Sequence, residues 1–508
     1  MYKVISIIVF SVLLFSPYGI YAEDIDTHTP LEGFDEFVET LMEEWEITGL
    51  AIAIVHENET IYQKGFGYRD IEEQLPVTHE TIFAIASITK SITATALGLL
   101  VDEGKIEWDS PVREYLREFR LKDPYVTENM TIKDLLSHRS GLPRHDLLWY
   151  GSDFSREEIF QRLHYLEPSK SFRELYQYNN LMYLAAGVLI EEVTGMSWEE
   201  FIQDRILNPL QMVRTNFSVS VSKEMINAAR PSAKHNDEIV HVPFRHLDAM
   251  GPVGSINSSV NEMAQWLKLN LNNGIFDNEQ IVSENQLKEI HRPHMTIHES
   301  RDDPELFYAS YGLGWRVGSY RGHKMLTHGG ALDGFRALCG FLPDDDTGVI
   351  ILTNYTERHM NPILMYNVFD RLLGLDEIDW NTRIRERIEK EEEDEENDKD
   401  TCKEDSPPTH TPNHFAGIYE HPAYGTVKVI HEDDNLLIER AGTRSVLEHC
   451  HFNIYNIEES AYPRVFRPEL TVTFHIDHDA KIDRFSAPLD PNVDEIVFRK
   501  VDDDKSND

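Results

Sequence analysis

Ser87-Ile88-Thr89-Lys90 sets a hydroxyl and an amine three residues apart, on one face of a helix if the segment is helical. A serine hydroxyl is a weak nucleophile until a base removes its proton. A lysine desolvated in a buried helix loses its charge and can be that base. Ser-x-x-Lys is short, and about two chance copies are expected in a chain of this length. A second copy does occur, Ser220-Val221-Ser222-Lys223. Context separates them: Ile88, Ile92, Ala96 and Leu99 or Leu100 recur at helical spacing after Ser87, and Gly104 gives a stop.

Two more patterns could complete such a site. Tyr178-Asn179-Asn180 stands before an apolar helix starting near Leu181. A phenol can relay a proton between nucleophile and leaving group, and an amide can orient a substrate carbonyl or the lysine. His328-Gly329-Gly330-Ala331 follows much later. Glycines admit close backbone approach, and an edge strand there could offer an N–H to an oxyanion.

The elements that must hold these residues are legible in the apolar periodicity. A helix is expected over Phe34 to Trp45, with strands at Leu50 to Val55 and Thr60 to Gly67, and helices over Tyr183 to Val193 and Met263 to Leu271. Strands return at Gly312 to Val317, Arg336 to Leu342 and Gly348 to Leu352, which predicts a sheet assembled from both ends of this region. Ile388 to Asp405 is dominated by Glu and Asp and is followed by Pro407, Pro408 and Pro412, the composition of a solvated linker whose first part extends a helix from near Trp380. Beyond it, short alternating strands at Thr426 to Ile430, Leu436 to Arg440, Leu470 to His475 and Ile496 to Val501 predict a small antiparallel β domain. The expected organisation is a leader over 1–22, a main domain over 31–375, an acidic linker over 376–412 and a last domain over 413–502.

The 508 residues carry 48 Lys and Arg against 89 Asp and Glu, a formal charge of −41 that repels nucleic acid. Lys3, the apolar run Val4 to Phe15 and Ala22 read as a secretory signal, too short for a membrane anchor. The expected location is therefore extracellular, with no membrane partner. Asn58, Asn129, Asn216, Asn257 and Asn354 begin Asn-x-Ser/Thr acceptors for glycosylation. Of three cysteines, Cys402 and Cys450 could form one bridge, and Cys339 sits in an apolar stretch as a buried thiol. His475 to Asp479 clusters His and Asp, but alternate strand residues diverge and the cluster enters a turn, so no metal is assigned.

In order and spacing, Ser87/Lys90, Tyr178/Asn180 and His328/Gly330 make the chain resemble the serine β-lactamases, penicillin-binding proteins and related esterases and D-aminopeptidases. Thr131 to Pro143, Gly251 to Ser255 and Tyr311 to Trp315 extend the likeness, which runs from about Leu31 to Leu375. The resemblance implies an α/β (α+β) fold of the β-lactamase/transpeptidase type: an antiparallel sheet flanked by helices, a helical subdomain, and the site between them. It implies an acyl-enzyme on Ser87, acid and base roles shared between Lys90 and Tyr178, substrate positioning by Asn180, and an oxyanion hole from the backbone N–H groups of Ser87 and Ala331. No cofactor is implied. At the third motif the chain departs from the lactamase pattern, because His328 and Gly329 replace the usual lysine and hydroxyl residue. Ester or D-amino-acid peptide specificity is thereby favoured over lactams. Tyr419 to Gly425 is similar to the lipocalin-like β domain appended to many such enzymes.

Two functions follow. The first is a secreted serine hydrolase acting on a small-molecule or peptide-like ester or amide. The second is an acidic extracellular matrix protein, similar to molluscan shell-matrix members of the family, meeting calcium or a mineral surface through its acidic linker in biomineralization and keeping the fold with little or no activity.

Overall fold

The strand Gly49–His56 is an unbroken apolar run because both of its faces are covered. In the computed structural model, which describes residues 30–298, 303–396, 402–403, 406–457 and 470–501, its alternate residues feed two cores. Leu50, Ile52 and Ile54 pack with Phe34, Val38 and Leu41 of the helix Phe34–Glu44 and with the helix Met360–Leu372. Ala51, Ala53 and Val55 face the opposite core, which includes the helix Val260–Leu271. Each such Leu or Ile contributes about 1.5–3 kcal/mol on burial.

The strand pairs antiparallel with Thr347–Thr353 on one side and Glu59–Asp70 on the other, so the ends of the region meet in mid-sheet. Nine strands follow in the order Met295–Thr296, Leu306–Tyr311, Arg316–Tyr320, His323–Leu332, Phe335–Leu342, Thr347–Thr353, Gly49–His56, Glu59–Asp70 and Leu75–Pro76. The result is the antiparallel sheet flanked by helices, with a helical subdomain, that the resemblance implied, and a small barrel follows it.

Between the outer strands of the sequence lies the helical subdomain. The helix Thr89–Asp102 is buried from Thr89 to Leu100, apolar or small on every side, and forms its axis. Beside it runs Asn180–Thr194, capped by Asn179, whose side chain accepts from Met182 N, and stopped by Gly195 in the left-handed conformation.

One expected strand is shorter than its apolar pattern. Residues 312–315 form a turn and the strand begins at Arg316. Gly314 has φ +82°, and a Cβ there would lie 2.9 Å from the Lys90 carbonyl oxygen. This turn packs against the Ser87–Lys90 helix instead of extending the sheet.

The acidic stretch is partly structural. Trp380–Glu396 is a helix, and Trp380 and Ile384 are buried in the same core as Phe34. Trp380 Nε1 donates to Tyr320 OH at 3.2 Å, so the start of this helix, ahead of the acidic residues, packs on the main domain.

The C-terminal strands Gly417–His421, Gly425–Glu432, Asn435–Arg440, Thr443–His451, Ile454–Ile457, Thr471–Ile476, Ile482–Ala487 and Ile496–Val501 close into an antiparallel barrel. Phe415, Tyr419, Phe474 and Phe485 fill its core. Cys402 is disulfide-bonded to Cys450, and Cys339 is free and buried. At the expected metal-like cluster, Asp477 Oδ1 accepts from Asp479 N and Lys481 N, which is turn chemistry.

Burial corrects the glycosylation reading. Asn354 is fully buried and its amide donates to the Tyr68, Arg69 and Arg230 carbonyls; Asn257 is also buried, bonded to Ser255 O and Asn216 Oδ1. Neither can carry a glycan in this fold. Asn58 and Asn129 are exposed, and Asn216 is half-buried. The leader segment, including Val4 to Phe15 and Ala22, lies outside the described residues. Among the described residues no helix is long and apolar enough to cross a membrane.

Candidate active site

The chain enters the site through a strained turn. Ala86 has φ 46°, a left-handed value that costs a non-glycine residue of order 1–3 kcal/mol. A short 3-10 turn, Ala86–Ile88, follows and runs into Thr89–Asp102. Ser87 is half-exposed while its neighbours are buried, and it borders a cleft of about 700 Å³.

Lys90 lies one turn on, fully buried. Its Nζ is 3.0 Å from Ser87 Oγ and donates to the Val253 carbonyl at 3.0 Å. Burial holds the amine well below its ordinary pKa; Arg144 pushes it in the same direction and Asp146 opposes. The neutral form, with a lone pair available to Ser87, is thus favoured.

Tyr178 closes the other side. Its hydroxyl is hydrogen-bonded to Ser87, and its ring lies 5.0 Å from Lys90 Nζ and 5.1 Å from Arg144 Cζ. Burial pushes the phenol up to about 12, while the Ser87 hydrogen bond and Arg144 pull it back. A protonated Tyr178 beside a neutral Lys90 is a donor and an acceptor on one nucleophile.

Asn180 is buried, and its Nδ2 donates to Asp146 Oδ1 at 2.8 Å. A carboxylate only accepts, so this bond fixes the amide orientation. Asn180 Oδ1 then remains without a hydrogen-bond partner among the described residues. What Asn180 offers the cleft is an acceptor. Of the two partners expected for this amide, a substrate carbonyl or the lysine, an acceptor oxygen suits an N–H or an ammonium such as that of a lysine.

The glycines of the third motif separate in role. A Cβ on Gly330 would lie 2.2 Å from the Ile85 carbonyl oxygen, so only glycine lets His323–Leu332 approach the turn before Ser87. Gly329 has no such contact. The strand is not an edge strand as a whole: Arg316–Tyr320 pairs with it from His323 to Thr327. From His328 to Leu332, among the described residues, it pairs only with Phe335–Leu342, which leaves that half of the strand with one sheet partner where it borders the cleft with Ala331.

His328 is buried, and burial first, then the Lys90 charge, lowers its pKa to about 3. Its Nδ1 is 2.8 Å from the Gly329 carbonyl and its Nε2 2.9 Å from Tyr311 OH. The carbonyl must accept, so a neutral ring donates from Nδ1 and accepts from Tyr311 at Nε2. Both nitrogens are committed within the protein, and no fixed charge stands at this position.

Positive charge enters the cleft elsewhere. Arg144, Arg316, Arg336 and Arg358 line it, against Asp146 and Asp333. A chain of −41 therefore presents a locally cationic pocket, which focuses attraction on an anionic substrate.

The Beta-lactamase family model matches residues 34–368, the span that contains every residue of this cleft. The chain belongs to the beta-lactamase family. A second model, a domain of unknown function (DUF3471), matches residues 401–500, the barrel. The unguisins hydrolase ungD' of Aspergillus campestris (strain IBT 28561) is 28% identical over 440 residues, covering 81% of this chain and 80% of that protein. The unguisins hydrolase ungD of Aspergillus violaceofuscus (strain CBS 115571) is 29% identical over 448 residues, covering 80% and 78%. In fold the chain is similar to the octameric penicillin-binding protein homologue from Pyrococcus abyssi, with TM-score 0.61 and 23% identity over 93% of this chain and all of that one. The relatives are those of a serine hydrolase with the beta-lactamase fold.

Within this beta-lactamase-family site, several residues carry no spacing signal that singles them out. Asp146 accepts from Asn180, from Trp149 Nε1 at 2.9 Å and from Arg144 Nε at 2.6 Å. His138 has φ 57°, and its ring lies tilted against those of Tyr178 and Tyr311, at 4.3 and 4.5 Å between centroids. It lies inside the family-like stretch Thr131 to Pro143, the only hint available. Ser220, in the second Ser-x-x-Lys copy, is exposed and lies outside the cleft.

Proposed function

We infer that this chain is a secreted serine hydrolase that opens an ester or amide bond, peptide-like in the amide case, through an acyl-enzyme on Ser87. The observation that carries the reading is the buried Lys90 amine, shifted toward neutrality and 3.0 Å from Ser87 Oγ.

Ser87 Oγ attacks the carbonyl carbon, and its proton passes to the Lys90–Tyr178 pair. The two groups titrate together, so the proton belongs to the pair and not to one residue. The oxyanion accepts from the backbone N–H groups of Ser87 and Ala331. As the intermediate collapses, the leaving amine or alkoxide takes a proton back through Tyr178. Water then adds to the acyl group; the pair takes its proton and returns one to Ser87 Oγ. Asn180 Oδ1 supports an amide substrate, whose N–H it can accept.

Secretion is supported by the Cys402–Cys450 bridge and by the exposed acceptors Asn58 and Asn129. The two fungal relatives, named as hydrolases, support activity over a purely structural matrix role. A serine-directed phosphonate probe tests the reading: wild-type protein is labelled and Ser87→Ala is not. Wild-type protein that never takes the label sinks it.

A further inference from the structure

A second cavity, of about 610 Å³, opens at the end of the barrel that faces the cleft. Its barrel walls include Val427, Val472, Ala487 and Phe498, and Leu147 and Phe244 of the catalytic part cover it. Water in such a lining finds few hydrogen-bond partners, so the space favours apolar surface.

This cavity and the Ser87 cleft share two residues, Tyr150 and Asp333. Tyr150 OH donates to Asp333 Oδ2 at 2.6 Å, and Arg245 Nε donates to the same oxygen at 3.0 Å. The Arg245 guanidinium also lies over the Tyr150 ring, 4.3 Å from its centroid. Together they make a polar wall between two hollows. Asp333 Oδ1, buried in that wall, has no hydrogen-bond partner among the described residues. A buried carboxylate oxygen is costly to leave unpaired, and here it waits at the junction for a donor.

The barrel is tied to this wall. Arg440 donates to the Leu148 and Tyr150 carbonyls at 3.1 and 3.3 Å, and His145 N donates to Asp490 Oδ2 at 2.8 Å. The segment 144–150 thus shows Arg144, Asp146 and Trp149 to the cleft and meets the barrel through His145 and the Leu148 and Tyr150 carbonyls.

We propose that the cavity at the barrel mouth is a subsite of the active site, taking the apolar end of a substrate whose carbonyl lies at Ser87 and whose N–H or O–H meets Asp333 Oδ1 on the way. The substrate class is an ester or amide carrying an alkyl chain or a bulky apolar residue. This rests on the acyl-transfer reading of Ser87.

Two measurements test it on the full chain. In Ser87→Ala, which cannot turn over, 11-(dansylamino)undecanoic acid gains fluorescence on binding, and Ala487→Trp or Ser445→Trp in the same background weakens that binding at least tenfold. In the active chain, kcat/KM for 4-nitrophenyl esters rises from acetate to octanoate by about threefold to fourfold per methylene. The profile becomes flat in either Trp variant while acetate hydrolysis is unchanged, which also shows that the variant is folded. Ser445 also lines the cavity and is half-buried, so its variant carries the test if Ala487→Trp misfolds. No probe binding in Ser87→Ala overturns the subsite whatever Ser87 does. Probe binding with a flat wild-type ester profile overturns it in favour of a separate lipophile site. Plug-sensitive binding with no ester or amide turned over overturns the acyl-transfer reading, and the substrate role with it.

Discussion

Asn180 gives its amide N–H to Asp146, 2.8 Å away, and so leaves its own carbonyl oxygen as an acceptor with no hydrogen-bond partner among the described residues. The orientation of the second motif's amide is therefore set by a residue that the motif does not contain. Asp146 acts twice, because its charge also opposes the lowering of the Lys90 pKa.

Asp146→Ala frees the Asn180 amide to rotate. With matched substrates, kcat/KM for the amide is expected to fall about 10- to 100-fold, corresponding to one charged hydrogen bond. The ester, lacking the N–H, falls less. Loss of the Asp146 charge lets the Lys90 pKa drop further, so the acid limb of the pH profile moves to lower pH. Equal losses for both substrates, with an unmoved limb, would refute this.

Lys90→Met keeps an unbranched side chain one atom shorter and removes the base. A fall in kcat of about 10²–10⁴-fold is expected. In wild-type protein kcat/KM should rise with pH along a limb lying below the ordinary lysine value of 10.5, since the neutral amine is the active form. A limb at the free lysine value would show that Lys90 is not desolvated during the reaction.

Acid stability follows from the buried imidazoles. His328 and His291 both have folded pKa values of about 3 against 6.5 for the free group. Between those values the unfolded chain binds protons that the folded chain does not, so stability is lost as pH falls from about 6.5 toward 3. Thermal unfolding across this range should show a steadily falling midpoint, and His328→Gln should flatten the slope. An unchanged slope in the variant assigns the effect to other groups.

Gly330→Ala forces a Cβ to within 2.2 Å of the Ile85 carbonyl unless the strand retreats. A retreat of about 1 Å costs roughly 100-fold in kcat. Circular dichroism should be preserved, because Gly330 pairs with Ala337 within an otherwise intact sheet. Wild-type activity in this variant would mean that the Ile85–Gly330 approach does not position the oxyanion site.

If the chain passes through the secretory route as proposed, peptide mapping should find glycans at Asn58 and Asn129 and none at Asn257 or Asn354. Occupancy at Asn354 is incompatible with its three amide contacts.

Ser87, Lys90 and Tyr178 were readable in the sequence because helical spacing and flanking apolar residues are local properties. Arg144, Asp146, His138 and Tyr311 reach the site from loops and from another strand, and only tertiary packing brings them there. Gly314 shows the same limit: its apolar neighbours look like a strand, but contact with the Lys90 backbone bends them into a turn. In the barrel, Thr471–Ile476 has the clean alternation that predicts a strand, whereas Thr443–His451 buries only Leu447 fully and gives no pattern to read. The sequons at Asn257 and Asn354 failed for a related reason, since three residues of sequence carry no information about burial.

The strand Gly49–His56 sits between Glu59–Asp70 and Thr347–Thr353, and the turn at Ser87 leans on Gly330. During synthesis, therefore, the nucleophile leaves the ribosome some 240 residues before its neighbouring strand does. For nearly half of its length the growing chain carries Ser87 without the strand that completes its setting, and the cleft can close only once residues 323–332 have been made, with 176 residues still to follow.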